Sequence, residues 1–205
     1  LQRAASEALP QTHECPAVAR GLPGRPVRVA PAGIMQRIVE IRDQTRVRMV
    51  SGLLEQADFK SRVLDDIRSE IWLKLWGNLT FNPISALTHS TLVDICQFPL
   101  TRELAAAMMT EAQVIGERLG ARFRVPMERR IAGAEGVGKH KTSMLQDVEA
   151  GKPLEIDGML GVVVELAAIT GVEVPTLRAL YACASLLNKT IQDERVRIKV
   201  APLAG

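Results

Sequence analysis

From Val63 onward the apolar residues recur at helical spacing almost without interruption, and this constrains the fold more than any other feature. A chain patterned this way buries one stripe per helix, so it must pack helix on helix. Asp65 and Asp66 are candidate N-caps for a first long helix through Ile71, Leu75 and Leu79. Asn82-Pro83 should kink or break it, because proline lacks the N–H that a helix interior needs, with Ile84 to Thr88 continuing beyond. A second helix is expected from near Thr101, carrying Leu104, Met108, Ala112, Ile115 and Leu119 on one face, with Gly120 as the left-handed closing residue. Shorter helices are expected over Met127–Glu135 and over Ser143–Ala150, where Ser143 and Gln146 have capping-box spacing and Gly151 follows. Two more run from Leu154 to Thr170 and from Pro175 to about Lys189, with Gly171 closing one and Pro175 opening the next.

Composition agrees with this pattern. Aromatic residues make up 3% of the 205, too few for the β-branched and aromatic filling that sheets favour. The prediction is a mainly α, multi-helix bundle of five to seven helices. Residues 1–33, rich in Pro, Gly and Ala, show no period and are expected to be irregular; Gly21-Leu-Pro-Gly24 lacks the third glycine and the preceding strand of a dinucleotide fingerprint. Residues 34–63 form a separate segment, with a possible strand at Ile34–Ile41 and helical spacing over Arg46–Phe59, residues 64–190 the helical domain and residues 191–205 a tail.

The bulk properties exclude several function classes. A net charge of +3 without a basic, aromatic-interleaved stretch argues against nucleic-acid binding. Met159 to Ile169 is too short to span a bilayer, so no membrane association is expected. Cys15, Cys96 and Cys183 have neither disulfide nor zinc spacing, which fits reduced thiols in a cytoplasmic protein and no metal.

Two constellations bear chemistry. Lys74, Asn78 and Asn82 follow one another at steps of four, each about 40° around the helix from the last. One ammonium and two carboxamides thus share a stripe, which is either a solvated face or the lining of a cleft. The second is His140-Lys-Thr-Ser-Met-Leu-Gln-Asp147, followed by Leu154-Glu-Ile-Asp157. Ser143 fits an N-cap, and equally a hydroxyl at an anion-binding helix start. Glu155 fits the positive end of the next helix.

Glu70-Ile-Trp-Leu-Lys-Leu-Trp-Gly-Asn-Leu-Thr-Phe-Asn-Pro-Ile-Ser-Ala86 resembles the opening of the C-terminal domain of ketopantoate reductases. Thr142-Ser-Met-Leu-Gln-Asp147 and Glu155-Ile-Asp157, with Gly161, Gly171 and Pro175 beyond, resemble its second signature. The resemblance runs from about Ile38 to Lys189. It implies a 6-phosphogluconate dehydrogenase C-terminal-like helical domain and an NADPH-dependent reduction of 2-dehydropantoate to pantoate. By the same resemblance Lys74 is the general acid, Asn78, Asn82 and Ser143 bind the substrate, and Glu155 lies where substrate meets cofactor. His140 departs from an asparagine found in some members, which opens the possibility of another small 2-keto acid. The glycine-rich loop and parallel strands that would hold NADPH should precede Ile34 and are not there, so residues 34–63 are expected to be a remnant of the nucleotide-binding domain and its linker. With one wall of the cleft, the chain is expected to bind neither NADPH nor substrate tightly, and to pair with itself or with a nucleotide-binding domain. A non-catalytic helical association module is the alternative of a different class.

Overall fold

The computed structural model describes residues 44–201, which hold eight α-helices, one π-helical turn and no strand. The chain divides into two compact units at Val63/Leu64. The expectations for residues 1–33, the Ile34–Ile41 strand and Cys15 lie outside the described residues. In the first unit, α1 (Gln44–Gln56) forms where the spacing predicts it. The Ser51 hydroxyl donates to the Ser61 carbonyl at 3.3 Å, folding the following segment back along it.

The second unit contains α2 (Ile67–Thr88), α3 (Leu92–Gln97), α4 (Pro99–Arg118), α5 (Met127–Gly136), α6 (Ser143–Ala150), the π turn (Asp157–Gly161), α7 (Val162–Thr170) and α8 (Pro175–Glu194). The central element is α2, against which α3, α4, α6, the π turn and α8 all pack. Its N-cap is Asp66, whose carboxylate accepts from the Ser69 N–H at 3.1 Å and from the Ser69 hydroxyl at 2.6 Å. These bonds hold the Asp66 carboxyl below its ordinary value of 3.8. A depressed carboxyl stabilises the fold above the unfolded value, and that stability is lost as pH falls through the folded one. Acid unfolding of Asp66→Asn, which keeps a capping oxygen, is therefore expected to be less pH-dependent than that of the wild type below about pH 4.

Several expectations need correction. The first helix does not break at Pro83: α2 runs through it, because Trp76 to Ala86 includes an almost continuous buried stretch whose packing outweighs one missing N–H. The second helix begins at Pro99, with proline at a first-turn position where no N–H is needed. Before it stands α3, which the sequence reading missed; its first turn is held by the Asp94 carboxylate, which accepts from the Thr91 N–H at 3.0 Å. Leu119 is not in the core but 38% exposed, past the end of α4, while Met108, Ala112 and Ile115 are fully buried. The helix expected over Leu154–Thr170 starts two residues later, at Ile156, because residues 152–155 are irregular, and its first part is the π turn, which runs without a break into α7 at Val162. Finally, α8 extends past Lys189 to Glu194, and Arg195 closes it in the left-handed region at φ 52°.

Gly120, Gly151 and Gly171 do close their helices at positive φ. The open N-terminus of α8 is capped from another helix, since the Glu111 carboxylate of α4 accepts from the Thr176 and Leu177 N–H groups at 2.9 and 2.8 Å. Cys96 is buried, which raises its thiol above the ordinary range, and Cys183 is exposed; neither is in a disulfide. Among the described residues no helix is long and apolar enough to cross a membrane, and no His, Cys, Asp and Glu cluster could hold a metal.

Candidate active site

The orientation of α2 decides what its polar stripe faces. Trp76 is fully buried, and its indole N–H donates to the Met109 carbonyl of α4 at 2.7 Å. Phe123 packs edge-on against Trp76 and Trp72, with ring centroids 4.8 and 6.4 Å away. With that face fixed against α4, the stripe carrying Lys74, Asn78 and Asn82 is turned away from it. Lys74 is exposed, Asn78 half-buried and Asn82 buried, so the stripe descends from solvent into the protein.

Asn82 is 6% exposed, and its only hydrogen-bond partner among the described residues is the Met159 sulfur, 3.9 Å from Nδ2. A thioether is a weak acceptor, so a carboxamide able to donate two hydrogen bonds and accept others is left largely unspent. Neighbouring buried hydroxyls on the same helix are satisfied by short bonds: Thr80 donates to Trp76 O at 2.8 Å and Ser85 to Ser90 O at 2.7 Å.

Ser143 is the first residue of α6, which packs on α2. The expected capping box does not form, and the N-cap lies one residue earlier. Thr142 is the N-cap, its hydroxyl accepting from the Leu145 N–H at 3.3 Å, and the Gln146 amide donates to the Lys141 carbonyl at 2.9 Å. The exposed Ser143 hydroxyl is thereby free of the capping role. Thr142→Ala is expected to destabilise the protein by about 1 kcal/mol, and Ser143→Ala by less than about 0.5, in urea titrations of the two variants.

Glu155 is exposed and lies in the irregular segment just ahead of the π turn. Its neighbours anchor it, since the Leu154 N–H donates to Asn188 Oδ1 of α8 at 2.9 Å and Ile156 is buried. None of the Lys74, Asn78, Ser143 and Glu155 side chains makes a hydrogen bond or ion pair among the described residues. His140 is exposed two residues before the Thr142 cap. Of the elements next to these residues, α6 and the π turn that follows Glu155 both pack on α2, and no bond joins the Lys74, Asn78, Asn82, Ser143 and Glu155 side chains to one another. A depression of about 520 Å³ between Ala150–Pro153 and the end of α8 includes none of the five.

Sequence reasoning missed Met159 and also Arg130. The guanidinium of Arg130 on α5 lies across Gly77, where a Cβ would fall 2.1 Å from Nη2, and its Nε is buried without a hydrogen-bond partner. A glycine inside α2, costly to helix propensity, was the available signal.

The description "Ketopantoate reductase PanE/ApbA C terminal" matches residues 66–188, more than half of the chain. The chain belongs to the ketopantoate reductase C-terminal family. The 2-dehydropantoate 2-reductase of Mesorhizobium japonicum is 54% identical to it over 137 residues, 67% of this chain and 42% of that relative. The chain therefore spans less than half the length of this ketopantoate reductase. The 2-dehydropantoate 2-reductase of Methylococcus capsulatus superposes with a TM-score of 0.65 at 29% identity, over 72% of this chain and 51% of the other. At 18% identity D-mandelate dehydrogenase, solved with NADH and anilino(oxo)acetate, shares the fold (TM-score 0.67, 74% of this chain, 64% of that one).

Proposed function

We propose that residues 64–190 are the substrate-binding half of an NADPH-dependent reductase of 2-dehydropantoate. The observation that carries this reading is the stripe on α2: a solvent-facing ammonium at Lys74 above a buried, underused carboxamide at Asn82, continuous through Asn78. That gradient suits a small anionic keto acid entering with its carbonyl near Lys74 and its polar groups along the asparagines.

The reaction adds a hydride to the carbonyl carbon and a proton to its oxygen. Bound nicotinamide dinucleotide supplies the hydride. Lys74, protonated, polarises the carbonyl and donates its proton as charge builds on the oxygen. Asn78 and Asn82 donate to the substrate's hydroxyl and carboxylate, and Ser143, relieved of capping by Thr142, adds a donor from the start of α6. Glu155, exposed and unpaired among the described residues, is the carboxylate suited to accept from cofactor and substrate where they meet. The chemistry calls for association with a nucleotide-binding domain, and a homodimer is compatible with it.

His140 favours one second reading, in which a less branched 2-keto acid is the substrate. The test is NADPH oxidation by a protein carrying residues 44–201 behind a nucleotide-binding domain, with 2-dehydropantoate compared against smaller 2-keto acids. Highest turnover with 2-dehydropantoate supports the first reading, preference for a smaller acid the second, and turnover with none of them overturns both.

A further inference from the structure

The π turn is wedged between two helices and touches each through a side chain. Toward α2, Met159 meets Asn82. Toward α8, Tyr181 reaches both ends of the turn. Its hydroxyl donates to Asp157 Oδ1 at 2.7 Å, and its ring lies so close to Gly161 that a Cβ there would stand 3.2 to 3.3 Å from Oη, Cε2 and Cζ. The residue that opens the turn and the one that closes it are thus held by a single side chain. A Cβ at position 161 would have to push the ring back by a few tenths of an ångström.

The register of a π turn matters because it has an α-helical alternative. The Val162 N–H bonds to the Asp157 carbonyl, five residues back, so the turn holds one residue more than an α-helix would. Reverting to α geometry would rotate everything on the N-terminal side by about 100°, the angle of one residue. Glu155 and Met159 would both lose their present directions, and the Asn82 contact would break.

We propose that Tyr181 and Asp157 are positioning residues for the candidate active site: by gripping both ends of the π turn, Tyr181 fixes the register that sets Met159 against Asn82 and presents Glu155. The ligand side of this inference rests on the functional reading above; the grip on the turn does not. The bond to Asp157, reinforced by partial burial, holds the Tyr181 phenol above its ordinary value of 10.0. The protonated, donating form is therefore the one present at neutral pH, and its contribution is lost only in alkali, as pH rises through the raised value. Tyr181 is the single tyrosine of the chain, so ultraviolet titration reads this group alone.

The experiment uses the full chain with methyl-labelled methionine and the variants Tyr181→Phe, Asp157→Ala and Asp157→Asn. Tyr181→Phe and Asp157→Ala are expected to move the Met159 methyl resonance and to speed amide exchange across residues 158–162 by about tenfold or more. Asp157→Asn, whose amide oxygen still accepts from the phenol, is expected to keep both near wild type; a structural role for charge alone would not give that rescue. Titration with 2-dehydropantoate at high concentration, followed at Met159 and the Asn82 amide, is expected to weaken about tenfold in Tyr181→Phe and to be restored in Asp157→Asn. An unchanged Met159 signal and unchanged exchange in Tyr181→Phe would overturn the proposal. So would a moved signal with an undiminished response to the keto acid. If the wild-type chain gives no keto-acid response at all, the ligand side of this inference is overturned, the functional reading stands or falls by the turnover assay, and the Met159 and exchange signals still decide whether Tyr181 sets the register.

Discussion

Trp76→Ala is expected to lower stability by about 3 to 5 kcal/mol, a large part of what a domain this size possesses, and to leave α2 loosely attached. Trp76 has no exposed surface, and deleting its indole opens a void beside Phe123, which packs against it at 4.8 Å. The same change removes the N–H donor to Met109 O. Trp76→Phe should separate these two losses. It keeps most of the packed volume but gives up the donor, and because Met109 lies within α4 its carbonyl retains its place in the helix ladder. A cost nearer 1 to 2 kcal/mol is therefore expected for phenylalanine. Urea unfolding of both variants checks this; equal costs would mean that the hydrogen bond, not the packing, holds α2 to α4.

Most of the helices were legible because their signals are local. The closing glycines at 120, 151 and 171 and the proline at 175 act through their own backbone geometry. Where neighbours decide, the reading failed. Pro83 does not break α2, because burial from Trp76 to Ala86 outweighs a local preference. At the start of α6, two adjacent hydroxyl residues competed for one capping position, and spacing from Gln146 selected Ser143 where the structure uses Thr142. The π turn has no periodic signature, and the Tyr181 ring that packs beside Gly161 comes from twenty residues further along the chain. The short α3 did carry its signal, a threonine three residues before an aspartate, but six residues are too few for a period to show.

The site was legible only along α2. Steps of four place Lys74, Asn78 and Asn82 on one stripe whatever the tertiary fold does. Which way that stripe faces depends on Trp76 meeting Met109, 33 residues away, a contact invisible to any window along the chain. The likeness of two separated motifs to one family brought Ser143 and Glu155 into the candidate set, and packing of α6 and the π turn on α2 is a fact of the folded chain alone. Arg130 over Gly77 belongs to the same class of long-range facts.

Lys74→Ala is expected to lower turnover of 2-dehydropantoate by about 10²- to 10⁴-fold in a protein joined to its nucleotide-binding domain. The reason such a loss would be chemical is that Lys74 is exposed and makes no hydrogen bond or ion pair among the described residues, so its removal should change stability by no more than about 0.5 kcal/mol. That is the opposite of Trp76, where a lost activity would follow a lost fold. Lys74→Arg then distinguishes two roles for the cation. Arginine keeps the charge but does not give up a proton near neutral pH, so it preserves carbonyl polarisation and abolishes proton donation. Activity of Lys74→Arg as low as that of the alanine variant, with KM for the keto acid nearer wild type, assigns Lys74 to proton transfer. Recovery of most of the turnover by arginine would make it an electrostatic group only, and undiminished turnover in Lys74→Ala would remove it from the site.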